Sequence, residues 1–253
     1  MSSLLNNRLF VLYFAPFVLG AATIFGFTPY NLTFINFFTF PALLYLILNI
    51  KKKTEKKFRK KKFIRYLFYL GCAYGFGFFL FGNYWISISL THDDTFKNLI
   101  PFSLVLIPLF LSVFFGLATL FAGFFIKIEV SFILFFSLIF SLFEFLRGNI
   151  LTGFPWNLIS YTWLWSLESI QILSFIGTYS LSLISTTLFC FPFIFFQKKK
   201  LKKKILSSSI VIIIFFINYL FGIFQLNNND YKLDENINIK VVSPNFSLKD
   251  YNS

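Results

Sequence analysis

The chain has 253 residues, 57% of them hydrophobic and 23% aromatic, and its mean hydropathy is +0.73. This composition excludes a soluble globular domain, which has no place for so much apolar surface, and indicates a multi-pass membrane protein. The formal net charge of +13 does not indicate nucleic-acid binding, because most Lys and Arg residues cluster in two short segments between apolar runs. We therefore expect membrane lipids, and no nucleic acid, as partners. Two Cys and one His offer little for a metal site, and none is expected.

Seven apolar runs follow one another along the chain, and each is long enough to cross the ~30 Å hydrocarbon core as a helix. A tight turn at Thr28–Asn31 predicts that the first two form a helical hairpin. Pro101 and Pro108 are expected to bend the fourth helix near its start. We therefore predict an all-α polytopic membrane bundle over residues 1–226. The approximate bounds of its helices are 9–27, 32–50, 65–90, 99–126, 129–147, 169–196 and 205–226.

The basic residues predict how this bundle is oriented. Ten of the 23 Lys and Arg residues lie in 51–65 and six in 197–204, and these segments fall on the same side as the N-terminus. Because cytoplasmic loops carry an excess of Lys and Arg, this side is predicted to be cytoplasmic. The loops 91–98 and 147–168, and everything after residue 226, are then extracytoplasmic.

Residues 227–253 differ in character from the rest of the chain. A polar linker is followed by Ile237–Ser243, which alternates apolar and polar side chains and predicts a β-strand. One strand is not stable alone. We interpret it as the first strand of a soluble domain that the chain does not contain, and expect the chain to be a fragment or truncated product.

A charged stretch interrupts the apolar sequence at the outer end of the fifth helix. Glu144 and Arg147 are three residues apart, so they share a helical face and can pair. Gly153 and Pro155 then force a compact loop that leads to Trp156. One interpretation is structural: a snorkelling Arg147, a helix-end ion pair and an interfacial aromatic girdle. The other is functional: a lipid-facing recess in which Arg147 holds a phosphate and the aromatic residues line an acyl path.

The third helix carries a second group of candidates. Gly71 and Gly75 form a GxxxG face, which predicts close packing against another helix. Asn83 and Trp85 lie toward the outer end, where an amide needs a partner or water and a Trp ring anchors at the interface. The candidate lipid-binding residues are Asn83, Trp85, Glu144, Arg147, Pro155 and Trp156.

In four stretches, taken in order, the chain resembles the bacterial apolipoprotein N-acyltransferases. They resemble the family's turn after the first helix, its third helix, its most distinctive membrane signature and the first strand of its nitrilase-like domain. Together they span nearly the whole chain, and the membrane signature is specific. The stretches are Phe27–Tyr30, Gly75–Phe79 with Asn83–Ile88, Glu144–Gly148 with Leu151–Trp156, and Ile237–Asn245.

The resemblance implies an activity in the bacterial inner membrane. The family moves an acyl chain from a phospholipid donor to the N-terminal amine of diacylglyceryl-cysteine in an apolipoprotein acceptor. The exchange passes through a thioester on a Cys, with a Glu as base and a Lys that stabilises the oxyanion. A phospholipid ester is already an activated acyl donor, so no cofactor is expected.

The resemblance also implies that the chemistry lies elsewhere. It places the catalytic Glu, Lys and Cys in the nitrilase-like domain, so no catalytic residue is expected among these 253. Cys72 and Cys190 lie near the predicted cytoplasmic ends of their helices and are interpreted as small buried hydrophobes. We expect the chain alone to be inactive. Two alternatives stay open, which are a lipid-binding or transport protein without chemistry and an inert truncated relic.

Overall fold

The computed structural model describes residues 7–55, 60–124, 130–196 and 201–228, together with Lys240 and Val242. Within these residues the regular structure is helical and contains no β-strand, which confirms the all-α bundle. Each of the seven predicted runs forms a helix. The predicted strand at 237–243 falls outside the described residues, except for Lys240 and Val242, which have no regular structure. The helices are α1 (Phe10–Gly26), α2 (Asn36–Glu55), α3 (Lys60–Asn83), α4 (Ile100–Phe124), α5 (Val130–Asn149), α6 (Leu173–Cys190) and α7 (Leu201–Asn228).

Six of the helical segments, rather than the predicted seven, are both long and apolar enough to cross a membrane. The shorter one is α1, and its backbone is irregular. Pro16 has no N–H to donate to the carbonyl four residues before it, and a π-helical turn at Phe10–Phe14 precedes it, with the Ala15 N–H donating to the Phe10 carbonyl. The six segments are Thr33–Lys52, Lys62–Thr91, Asp94–Phe124, Ser131–Asn149, Leu173–Phe196 and Lys204–Asn228.

Phenylalanine rings fill the centre of the bundle. Five buried rings meet there, one from each of the helices α2 to α6. Neighbouring centroids lie 4.8 to 5.9 Å apart, mostly in tilted or edge-to-face arrangements, which aromatic pairs prefer. Because every long helix except α7 contributes a ring, the cluster ties these helices together. The five residues are Phe40, Phe78, Phe115, Phe140 and Phe189.

Small residues let α3 approach its neighbours closely. A Cβ on Gly75 would lie 2.9 Å from the Cβ of Phe115, and one on Gly71 would overlap the Thr119 hydroxyl. The GxxxG face is therefore a packing surface against α4, as the sequence predicted. On the opposite side of α3, a Cβ on Gly77 would overlap the Phe17 carbonyl of α1.

The segment before α2 and the loop after α5 meet at one end of the bundle. The Thr33 hydroxyl donates to the Thr162 carbonyl at 2.7 Å and accepts from Trp165 Nε1 at 2.8 Å. Helix α7 lies at the periphery and is anchored by Asn218, whose amide donates to the Ser169 carbonyl at 2.9 Å. We call this side of the molecule the loop end. It contains all six candidate lipid-binding residues.

Candidate functional site

The segment after α5 folds back over the end of its own helix. The Phe154 N–H donates to the Arg147 carbonyl at 2.8 Å, and the Gly153 N–H donates to the Ile150 carbonyl at 3.0 Å. Gly153 has a φ of +76°, and a Cβ there would lie 2.5 Å from the Gly148 carbonyl oxygen. Only glycine fits that position without strain. The predicted compact loop is therefore present over residues 150–158.

Arg147 holds this loop from inside. Its Nη1 donates to the carbonyls of Phe154 at 2.7 Å and Trp156 at 2.8 Å. The guanidinium carbon lies 5.0 Å from the ring centroid of Phe79 on α3, and the residue is only 2% exposed. Arg147 thus does not snorkel to the surface. It fixes the backbone on both sides of Pro155 with two charge-assisted hydrogen bonds.

Glu144 holds the next part of the same loop. Its Oε1 accepts from the Ile159 N–H at 3.0 Å, and the Ser160 N–H donates to the Ser182 hydroxyl of α6 at 3.0 Å. Glu144 is also 2% exposed. The Ile159 bond starts a 3₁₀ turn that spans Ile159–Trp163.

The predicted pairing of Glu144 with Arg147 takes an indirect form. The two side chains bond to the loop backbone, and Glu144 Oε2 and Arg147 Nη2 are both buried without a hydrogen-bond partner. Both residues line one cavity of about 10 Å³ between α4 and α5. The opposite charges therefore share one apolar surrounding without a direct hydrogen bond between these two atoms.

Asn83 connects α3 to the loop. Its Oδ1 accepts from Asn157 Nδ2 at 2.7 Å, so the amide oxygen finds a partner, whereas its Nδ2 is buried without one. Gly82 makes the contact possible, because a Cβ there would lie 2.6 Å from the same nitrogen. Asn157 has a φ of 54°, in the left-handed region that Asn adopts more readily than most residues.

The remaining three candidates face outward. Trp85 is 44% and Trp156 53% exposed, and their rings meet edge to face with centroids 5.5 Å apart. Pro155 beside them is exposed as well. The structure therefore places the six predicted residues at the same end of the bundle, in two groups. Asn83, Glu144 and Arg147 are buried supports, and Trp85, Pro155 and Trp156 form an exposed aromatic lip.

A groove of about 310 Å³ lies beside the loop, on its α4 side. Its walls are apolar side chains of α4 and the loop segment from Ile150 to Phe154, and Arg147 is the one charged residue that lines it. An apolar groove with a single cation at its wall matches the chemistry of a lipid, which has an acyl chain and a phosphate. The α4 residues are Leu106, Ile107, Phe110, Leu111 and Phe114.

Several supporting residues were not identified from the sequence. They belong to other helices or follow the signature, and no local pattern marks them. Only Asn157 had a usable signal, as an Asn directly after a Gly-Phe-Pro-Trp turn. Near the charged pair, burial and the phenol of Tyr179 raise the pKa of Tyr161 above its ordinary value. The missed residues are Phe79, Asn157, Tyr179 and Ser182.

Neither cysteine belongs to this site. Cys190 ends α6 and is buried, whereas the site contacts that helix near Ser182. Cys72 is 11 residues before Asn83 on α3, which corresponds to about 16 Å along a helix. Both are therefore remote from the aromatic lip.

Comparison with known proteins identifies the family. Residues 19–191 match the family model described as "Apolipoprotein N-acyltransferase N-terminal domain". The chain is 37% identical over 172 residues to an apolipoprotein N-acyltransferase of Rickettsia bellii, which covers 66% of this chain and 33% of that protein. It is 39% identical over 158 residues to the Rickettsia prowazekii protein of the same name, covering 61% and 30%.

A more distant relative gives the same result. The protein of that name from Rhodopseudomonas palustris is 31% identical over 174 residues, covering 68% of this chain and 31% of its own length. The matched part of the chain thus spans about a third of each of these relatives. The family match includes the loop end with all six candidate residues. On this match, the chain belongs to the apolipoprotein N-acyltransferase family, in its N-terminal membrane domain.

Proposed function

We propose that this chain is the membrane portion of an enzyme that moves an acyl chain from a phospholipid to the N-terminal amine of diacylglyceryl-cysteine in apolipoproteins. Family membership and the six apolar helices support a membrane acyltransferase. We place the chain in a bacterial inner membrane, with its N-terminus on the cytoplasmic side and the loop end on the extracytoplasmic side. The clustering of Lys and Arg in 51–65 and 197–204 supports this orientation.

The observation that carries the proposed role of the site is the clamp made by Arg147. By binding the carbonyls of Phe154 and Trp156, it fixes Pro155 and Trp156 at the surface, next in the chain to the loop segment that lines the 310 Å³ groove. A preorganised apolar lip loses less conformational entropy when a chain binds to it than a mobile one does. We therefore assign Trp85, Pro155 and Trp156 to contact with the lipid substrate and the groove to its acyl chain.

Arg147 has a second proposed role as a ligand of the donor phosphate. It lines the groove, and only its Nη1 is committed to the loop carbonyls. Arginine has further N–H groups that suit a phosphate. Both roles require the positive charge of Arg147. Loss of the clamp would lower the stability of the fold, whereas loss of the phosphate contact would impair use of the phospholipid donor.

The test of these roles uses the full-length enzyme. Trp156→Ala should raise the KM for the phospholipid donor with little effect on thermal stability, and Phe38→Ala, at an exposed position on α2, is the control. Arg147→Ala should impair donor use while membrane insertion is retained. Unchanged donor kinetics in both variants would contradict the lipid-binding assignment, and an unfolding defect in Arg147→Ala alone would leave the clamp as its role.

The chemistry itself is proposed to reside in a nitrilase-like domain, which the resemblance places from about residue 237 onward, with 237–243 as its first strand. The 253 residues alone should then hold lipids without transferring acyl chains. A lipopeptide acylation assay tests this with the chain alone and with the chain joined to the part of the Rickettsia bellii relative that lies beyond the matched third. Activity is expected only in the joined protein. Acylation by the chain alone would overturn the proposal, and lipid or solute flux through liposomes containing it would favour a transporter.

A further inference from the structure

A second and larger groove lies at the end of the bundle away from the loop end. Its volume is about 690 Å³, and it runs between α1 and α3 with Leu109 of α4 at its far side. The lining is almost wholly apolar. The residues that shape it are Tyr13 and Phe17 on α1 and Tyr69, Cys72, Ala73 and Phe76 on α3.

The shape of this groove follows from its residues. Its walls are aromatic pairs across the two helices, Tyr13 with Tyr69 at 6.2 Å and Phe17 with Phe76 at 6.0 Å between centroids. Ala73 and its neighbour Cys72 are small and leave space between the rings. The wall on α1 includes the π-helical turn, a rare backbone form that is often found at functional sites. The result is a slot between rings rather than a packed helix interface.

Basic side chains precede the slot along both of the segments that form its walls. The guanidinium carbon of Arg8 lies 4.4 Å from the ring centroid of Tyr66, one turn from Tyr69 on α3. Lys62 and Arg65 are exposed on the preceding turn of α3. Lys62, Tyr66 and Tyr69 recur at helical spacing, so one face of α3 changes from basic to phenolic to apolar toward the slot.

Among the described side chains, negative charge lies at the other end of the bundle. Among the side chains that the structure describes, the carboxylates belong to four residues. All four lie in or beside the loops of the loop end, so the described part of the chain offers no acid to neutralise the basic side chains that precede the slot. The four residues are Asp93, Asp94, Glu144 and Glu168.

We propose that this slot binds one acyl chain of an anionic phospholipid, whose headgroup phosphate lies among Arg8, Lys62 and Arg65. The stretch from Tyr69 to Phe76 covers about 10 Å along the helix axis, so the slot reaches into the hydrocarbon layer from a charged surface. Basic side chains at a membrane surface attract anionic lipids, and each contributes about 1 kcal/mol. The site is separate from the proposed acyl-transfer site, and it does not rest on the proposed function.

The charge requirement is tested with the 253-residue chain in lipid nanodiscs that contain equal amounts of phosphatidylglycerol and phosphatidylcholine. Native mass spectrometry of the released protein should show one retained phosphatidylglycerol. Arg8→Gln and Arg65→Gln should each lower its retention about five-fold. Lys97→Gln is the matched control, since Lys97 is an exposed cation at the loop end that pairs with Asp94, and it should change nothing.

The groove requirement is tested by filling the slot. Ala73→Phe should abolish retention of the lipid, whereas Leu138→Phe, at an exposed position on α5, should not. Equal retention of phosphatidylcholine, or unchanged retention in the two arginine variants, would overturn the proposal and indicate ordinary annular lipid. If Ala73→Phe lowers the melting temperature, the arginine variants still decide, because both side chains are exposed.

Discussion

The centre of the bundle and the loop end are stabilised in different ways. In the centre, ring contacts link five phenylalanines from five helices, so the contact energy is spread over many weak interactions. At the loop end, the buried side chains of Asn83, Glu144 and Arg147 each have one defined set of partners. A packed aromatic side chain can be replaced by another apolar side chain of similar size at little cost. A buried polar group that loses its hydrogen-bond partner destabilises the fold, because no water replaces that partner. The two regions should therefore respond differently to substitution.

The largest effect is expected for Arg147→Met, which keeps most of the side-chain volume but removes the charge. The carbonyls of Phe154 and Trp156 lose their donor, and each charged hydrogen bond contributes roughly 1.5–3 kcal/mol. We expect a loss of about 4 kcal/mol in unfolding free energy, measured by denaturation in mixed micelles. Arg147→Lys should recover less than half, because the lysine side chain is one atom shorter and its ammonium does not reach both carbonyls. A change below 1 kcal/mol would show that the loop does not depend on the clamp.

The next effect concerns backbone contact between helices. Gly77→Val would place a branched side chain against the Phe17 carbonyl, where no atom can move aside without shifting α1. Overpacking of this kind costs about 3 kcal/mol. Ser180→Val, at an exposed position on α6, is the control and should be nearly neutral. Equal melting temperatures for the two variants would show that α1 does not pack as described.

A smaller effect is expected at the link between α3 and the loop. Asn83→Leu removes the acceptor of the Asn157 amide and leaves that group without its partner, at a cost of about 1–2 kcal/mol. The same change should increase proteolysis of the loop over residues 150–158 without affecting cleavage elsewhere. The double variant Asn83→Leu with Asn157→Gly should recover stability, since both polar groups are then absent and glycine adopts the left-handed backbone at residue 157 without strain. Additive losses would contradict a direct bond.

The smallest effect is expected in the aromatic centre. Phe140→Leu keeps an apolar side chain of similar size among four other rings, so it should cost about 1 kcal/mol in thermal unfolding. A loss as large as that of Arg147→Met would remove the distinction between the two regions. Phe38→Leu, at an exposed position on α2, gives the baseline for loss of a ring outside the cluster.

The sequence predicted the helices well because apolar runs of membrane length are a strong signal. It also brought together residues 83–85 and 144–156, which are far apart in the chain. It did not predict that Arg147 would bind backbone carbonyls seven and nine residues ahead, because this depends on a left-handed turn at Leu151, a residue type that rarely adopts it. The sequence likewise did not predict the π-helical turn of α1, since Pro16 alone does not indicate which conformation the preceding backbone adopts.

The clamp at Arg147 also bears on the order in which the protein is assembled. Helix α5 enters the bilayer carrying a charge, and insertion of an arginine costs up to roughly 3 kcal/mol at the centre of a membrane helix. The carbonyls that accept its hydrogen bonds come from residues 154 and 156, which leave the ribosome later. The charge on α5 therefore lacks its hydrogen-bond acceptors until residues 154 and 156 fold back over the end of the helix. Closure of that short loop, rather than insertion of the helix, would commit this part of the protein to its membrane position.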